Sequence, residues 1–124
     1  MKWLLLFAGG GLGSLLRFAL ATLVDARAGP PFPWGTLAVN VAGCFLIGLV
    51  ATLADERSLL TPPLRLFLVA GVLGGFTTFS TFGMETWRLI EDGELVSALL
   101  NPLASMGFGM IALIAGVLIG RNVT

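Results

Sequence analysis

The chain contains no histidine and no tyrosine, and only one cysteine, Cys44. Without histidine there is no Ser-His-Asp or Cys-His triad, and a lone cysteine makes neither a CxxC redox pair nor the usual zinc spacings. Charge is scarce as well: seven Lys/Arg balance seven Asp/Glu, for a formal net charge of zero. That balance supplies no basic face for nucleic acid. Polar stretches long enough to fold into a soluble domain are missing too, so extramembrane catalytic chemistry has almost no residues to be built from. The chain is not read as an enzyme.

What it has is apolar surface. Apolar residues make up 56%, charged residues 11%, and the mean hydropathy is +0.97, which places the chain in the polytopic membrane class. A hydrocarbon layer of about 30 Å takes roughly 20 helical residues to cross. Four stretches qualify: Trp3 to Val24, Trp34 to Ala54, Leu64 to about Leu89, and about Val96 to Gly120. The expected architecture is an all-α membrane protein, one domain over residues 1–124 with helices at about 3–24, 34–54, 64–89 and 96–120. The connections carry turn chemistry: Asp25 to Pro33 with Gly29-Pro30-Pro31, Asp55 to Pro63 ending in Thr61-Pro62-Pro63, and the acidic turn Glu91-Asp92-Gly93-Glu94.

Lys2, the apolar run Trp3 to Ala8 and the later Ala19-Leu20-Ala21 outline a cleavable leader. Arg17 interrupts the approach to that site, and cleavage would remove a glycine-rich face, so the segment is read as a retained first helix. With four crossings, Lys2, Arg57, Arg65 and Arg121 share one side, while Arg27 and Arg88, with Arg17 if the second half of the first helix counts, lie on the other. So weak a bias permits insertion both ways, and hence an antiparallel dimer; a single orientation set by the small excess is the alternative.

The most informative stretch is Gly74-Gly75-Phe76-Thr77-Thr78-Phe79-Ser80-Thr81-Phe82, glycines, hydroxyls and phenyl rings inside an apolar segment. Its composition weakens a helix at a depth where unpaired backbone groups are costly, so a break there must be sheltered by protein or line water. A continuous helix from Leu64 to Leu89 would be about 39 Å long, more than a bilayer core requires, so a break near Gly74 to Thr78 is affordable. Such breaks sit on ion or substrate paths. Phe76, Phe79 and Phe82 repeat at i+3 beside a polar stripe of Thr78, Thr81 and Glu85. Phenylalanine stripes are commonly packing, but ring edges carry positive potential and can face a small anion without trapping it, whereas carbonyls freed at a break suit a monovalent cation.

In the second helix Thr36, Asn40, Gly43 and Ile47 form one stripe. Asn40 is either interhelical glue or a pair of N–H donors for a dehydrating anion, and the stripe on the third helix favours the second. Arg17, deep in the first helix, either snorkels to the interface or attracts anions into an aqueous vestibule. Gly9 with Gly13, Gly71 with Gly75 and Gly116 with Gly120 stand in GxxxG spacing and are read as close helix packing. The fourth helix, opened by Pro102, is rich in small residues; Ser105 could add a hydroxyl to a polar track. Cys44 is read as a small packing residue.

Over essentially its whole length the chain resembles the Fluc (CrcB) fluoride channels. The motifs are Gly9-Gly10-Gly11-Leu12-Gly13 with Arg17, Gly35-Thr36-Leu37-Ala38-Val39-Asn40 with Gly43, and the Gly74 to Phe82 stretch. The resemblance implies a dual-topology antiparallel homodimer in the inner membrane of a prokaryotic-type cell. Two pores would export fluoride passively and selectively, relieving its toxicity. It implies that Phe79 and Phe82 line the pores, that the Asn40 amide contacts the ion, that Thr81 continues a polar track, and that Glu85 stands at its mouth. It also implies that the backbone carbonyls of Gly74 and Thr77, from both subunits, hold a central structural sodium ion. The fourth helix departs from the pattern, since Ser105 is its only hydroxyl in the track and Gly109 stands where a second serine would continue it. The competing readings are a small four-helix multidrug exporter, whose carboxylate in the first helix is absent here, a proton-coupled fluoride carrier using Glu85, and a purely structural membrane subunit.

Overall fold

The computed structural model describes residues 1–123. Four helices long and apolar enough to cross a membrane run over Lys2–Ala28, Trp34–Glu56, Pro62–Glu91 and Leu95–Arg121, referred to below as the first to fourth spans. No strand occurs among the described residues. The helices outrun the apolar stretches at several ends, because hydropathy marks hydrocarbon depth whereas a helix continues into the headgroup layer until a turn stops it. Asp25, which the sequence places in a connection, lies inside the first span; its carboxylate accepts the Gly35 N–H at 2.8 Å and satisfies one orphan donor at the start of the second. Pro102 likewise falls inside the fourth span rather than opening it, and leaves the Ala98 carbonyl without its usual N–H partner.

The spans are held by small residues. The second and fourth pack along most of their length, and the first lies against the first half of the third. Both contacts are nearly backbone to backbone. A β-carbon at Gly13 would strike the Val72 carbonyl oxygen and stand 2.9 Å from the Phe76 nitrogen, and one at Gly116 would strike the Phe45 carbonyl oxygen and stand 2.8 Å from the Leu49 nitrogen. Where lipid is the solvent, large apolar side chains gain little by turning inward, and close backbone approach supplies the dispersion contact instead. The buried apolar set is accordingly small: Leu37, Val39, Leu73, Phe76, Leu89 and Ala98, while Trp3 and Phe7 are more than 80% exposed.

The third span is irregular up to Phe79. A capped α-turn at Pro62–Arg65, with the Thr61 hydroxyl accepting the Leu64 N–H, leads into π-helical turns over Leu66–Leu73. One α-turn, Gly74–Phe76, precedes a break, and an α-helix resumes at Ser80–Glu91. Insertions of this kind are common at functional sites. At one end of the molecule Arg65 makes a two-pronged pair with Asp55, and Arg121 with Glu56. Arg57 donates to the Arg121 carbonyl oxygen. These exposed contacts tie the second, third and fourth spans together at that end; solvent screening leaves them a modest role in stability.

Candidate functional site

The break is made by two side chains that take backbone donors out of the helix. Asn40 Oδ1 accepts the Thr78 N–H at 3.0 Å while Asn40 Nδ2 donates to the Thr78 carbonyl oxygen at 2.9 Å. The Thr78 hydroxyl oxygen accepts the Thr81 N–H at 3.3 Å. In an unbroken helix the Thr78 N–H would serve the Gly74 carbonyl and the Thr81 N–H the Thr77 carbonyl. Those two carbonyls are thereby released. Thr77 itself is extended, with φ −81° and ψ 155°.

The interruption therefore falls at Thr77 to Phe79, just beyond the two glycines that suggested it. Gly74 and Gly75 remain helical. Gly75 is small for another reason: a β-carbon there would stand 3.0 Å from the Gly10 α-carbon, so its place is in the seam with the first span. The stripe on the second span meets the break. A β-carbon at Gly43 would collide with the Thr77 methyl group, and Gly43 and Ile47 share a cavity of about 220 Å³ with Leu73, Gly74 and Thr77.

The phenylalanines separate into two kinds. Phe76 is buried before the break, whereas Phe79 is 83% exposed and Phe82 half-buried beyond it. The Phe79 and Phe82 ring centroids lie 5.7 Å apart with the planes tilted by 43°. Arg17 and Thr81 line a second cavity, of about 230 Å³, together with Thr36 and Thr78. Glu85 lines a third, of about 310 Å³, at the end of the molecule where Asp25, Arg88 and Asp92 converge. The Glu85 Oε1 and Ser105 Oγ atoms are buried without a hydrogen-bond partner among the described residues, and Gly109 packs toward Cys44. Asn40 is thus brought to Thr78, Arg17 to Thr81 and Phe79 to Phe82, while Gly74 and Thr77 line a cavity separate from that of Arg17.

No cluster of three His, Cys, Asp or Glu side chains suited to a metal occurs among the described residues. A cation at this site would have the released Gly74 and Thr77 carbonyls as its donors, the hard oxygen ligands that a monovalent ion accepts.

A broken membrane helix clamped by an asparagine, with a phenyl pair beyond it, can be compared with known proteins. The family model described as CrcB-like protein, Camphor Resistance (CrcB), matches residues 4–117. The chain belongs to the CrcB-like family. Among curated relatives, the fluoride-specific ion channel FluC of Geobacter sulfurreducens is 52% identical over 113 residues, 91% of each chain. The FluC of Rhizobium meliloti is 48% identical over 118 residues, 95% of this chain and 94% of its own. That of Solibacter usitatus is 48% identical over 122 residues, 98% of this chain and all of its own.

Two residues of this CrcB-like chain went unmarked in the sequence. Asn101 is 1% exposed, its Nδ2 donates to Thr86 Oγ1 at 2.9 Å, and its Oδ1 has no partner among the described residues. Thr86 in turn donates to the Phe82 carbonyl oxygen at 2.9 Å, so the pair is tied to the backbone of a phenyl residue. Asn101 and Ser105 are one helical turn apart on the same face. The signal for it in the sequence is that Asn101 is the one amide in the fourth span, next to a proline of the kind that commonly opens a helix.

Proposed function

We propose that the chain is a fluoride-selective channel that lets fluoride leave the cell passively across the inner membrane. The working unit is an antiparallel homodimer of dual topology with two pores and a central structural sodium ion. The observation that carries this is the uncovered break. Thr77 to Phe79 is non-helical backbone at membrane depth, beside a Phe79 ring that is 83% exposed. Irregular backbone is tolerated in a bilayer only where protein or water covers it. A second copy laid against this face would supply the cover, and close identity to fluoride-specific channels over nearly the whole chain supports fluoride as the ion.

Each side chain then has a part. Asn40 gives one N–H to Thr78, and its second remains for the ion. The Phe79 and Phe82 edges replace lost water without strong hydrogen bonds, so the ion is released again. Thr81, Ser105 and Glu85 extend the polar line, and the orphaned Ser105 and Glu85 oxygens are the groups that water or the ion would satisfy. Arg17 draws anions toward the entrance. Gly74 and Thr77 carbonyls of both copies would hold sodium, whose fixed positive charge in low dielectric pins the dimer.

The deciding test is fluoride efflux from liposomes holding the purified protein, with valinomycin clamping potassium and chloride-loaded vesicles as control. Rapid fluoride release without chloride release is expected. Silence from verified dimeric protein would move the small-exporter reading to first place. A proton-coupled carrier is the second reading, on the strength of the buried, unpartnered Glu85 oxygen. Flux that is unchanged by an imposed proton gradient would exclude it.

A further inference from the structure

An open groove of about 500 Å³ runs between the first, second and fourth spans and is lined by apolar side chains, Val24, Trp34, Ala38, Val41, Phe108 and Ala112 among them. No residue of the third span borders it, so it is separate from the break and from the polar cavities beside the break. Its mouth is marked by Trp34, the first residue of the second span, whose ring packs on Phe32 with the centroids 4.5 Å apart. Tryptophan at the start of a span belongs to the membrane–water boundary. Beyond the mouth stands Arg27, in the last turn of the first span, on the same helix face as Val24 and one turn further out. The ion pairs among the described residues join Arg65 to Asp55 and Arg121 to Glu56, so Arg27 has no carboxylate at salt-bridge distance there. Asp25, its nearest acid in the sequence, is turned to the Gly35 N–H.

Size decides what fits. Trp34 to Val41 is about two helical turns, so the groove descends about 10 Å, roughly two-thirds of the hydrocarbon depth of one leaflet. A helix is at least about 10 Å across, and 10 Å of its length fills roughly 800 Å³. The groove is too small for one. A second copy is poorly served for another reason: close helix approach in lipid needs small residues, and Trp34 and Phe108 stand about half exposed on the groove walls. At about 30 Å³ for a water-sized group, roughly sixteen such groups fill the volume. A methylene group is of similar size, so acyl chain suits the space. A chain lodged there brings its phosphate to the level of Arg27, whose planar fork of donors matches phosphate geometry.

We infer that this groove is a binding site for one phospholipid of the surrounding bilayer, its acyl chain held between the first, second and fourth spans and its phosphate held by Arg27. The inference goes beyond the channel reading and holds whichever ion is carried. The test uses the purified full chain in detergent, with Trp3→Phe and Trp87→Phe leaving Trp34 as the one tryptophan. The probe is phosphatidylglycerol with brominated acyl chains, and brominated diacylglycerol is the phosphate-free control. Quenching of Trp34 is expected to saturate at one phospholipid per chain, with diacylglycerol about tenfold weaker for want of the charge-assisted contact. Arg27→Gln should bring the phospholipid down to the level of diacylglycerol, and Ala38→Phe, which fills the groove and leaves Arg27 in place, should weaken both. Native mass spectrometry gives a second readout: one phospholipid retained per chain in the protein with Arg27 and none in Arg27→Gln. Arg27 is exposed, so that variant carries the test even where Ala38→Phe does not assemble. Quenching that rises with lipid fraction without saturating, or that is the same in Arg27→Gln, is ordinary solvation by lipid and would overturn the inference. So would a groove closed to the probe in the dimer and open in the monomer, since that face would then belong to a second copy.

Discussion

Asn40 and Thr78, 38 residues apart in the chain, are joined by two reciprocal hydrogen bonds, so one side-chain amide replaces the helical partners of a whole peptide unit. The geometry makes Asn40 part of the break and leaves it one N–H to spare. Substitutions there are expected to divide by what they preserve. Asn40→Leu strands the Thr78 N–H and carbonyl, at about 1–3 kcal/mol for each buried group left unpaired, and should lower the unfolding midpoint. Asn40→Asp keeps an acceptor for the Thr78 N–H but loses the donor and adds negative charge; it should greatly slow or abolish fluoride efflux while still assembling. Wild-type efflux from Asn40→Asp would remove Asn40 from the ion path.

The phenyl pair is expected to matter for flux and hardly for folding, because Phe79 is mostly uncovered within the chain. Phe82→Ile should greatly slow or abolish fluoride efflux, while size-exclusion and cross-linking still report a dimer. Isoleucine fills the space but has no polarised ring edge. Unchanged flux would return the ring pair to a packing role.

Glycine substitutions separate seam from surface. Gly13→Ala drives a methyl group into Val72 and the Phe76 nitrogen, an overpacking cost of about 1–3 kcal/mol, visible as a lower thermal midpoint in detergent. Gly11→Ala meets nothing within 4 Å among the described residues and gains about 0.5–1 kcal/mol of helix propensity. A large loss at Gly11 instead would reveal a partner's surface lying against it.

Sodium should behave as a ligand of the folded dimer. Replacing it with a large organic cation is expected to lower the thermal midpoint and the dimer fraction together, whereas saturating it a hundredfold above its dissociation constant would stabilise by about 2.7 kcal/mol. Insensitivity of both quantities to sodium would argue that the Gly74 and Thr77 carbonyls bind water.

Asn101→Leu tests the residue that the sequence did not advertise. The change removes an unpartnered buried oxygen, and Thr86 keeps its bond to Phe82, so stability should move by no more than about 1 kcal/mol. Fluoride efflux is expected to fall several-fold if the Asn101 oxygen belongs to the polar line. A variant as active as the wild type would make Asn101 a packing residue.

How much of this could be read in advance depends on the range of the interaction. Helix number follows from apolar length against bilayer thickness, a local property, and the weakness of the third helix follows from Gly74, Gly75 and the threonines around them. The position of the break does not. It is set by Asn40 capturing Thr78, and residue types in the third span cannot announce a partner in the second. Asp25 shows the same limit: it caps the second span from inside the first, ten residues away, where no local capping pattern points to it. Asn101 was legible as an oddity, but its burial is a consequence of packing between the third and fourth spans.

The glycine seams described above also set an order of events. Gly9, Gly13, Gly71 and Gly75 are used up between the first and third spans of one chain, and Gly116 and Gly120 between the second and fourth. Those seam glycines are spent within the chain, whereas Gly11, Gly83 and Gly107 stay open on its surface. Each polypeptide can therefore complete its own bundle within the bilayer before it meets a second copy. In the proposed antiparallel dimer, pairing would come afterwards, between finished bodies of opposite orientation, and the yield of assembled protein would be capped by whichever orientation is rarer.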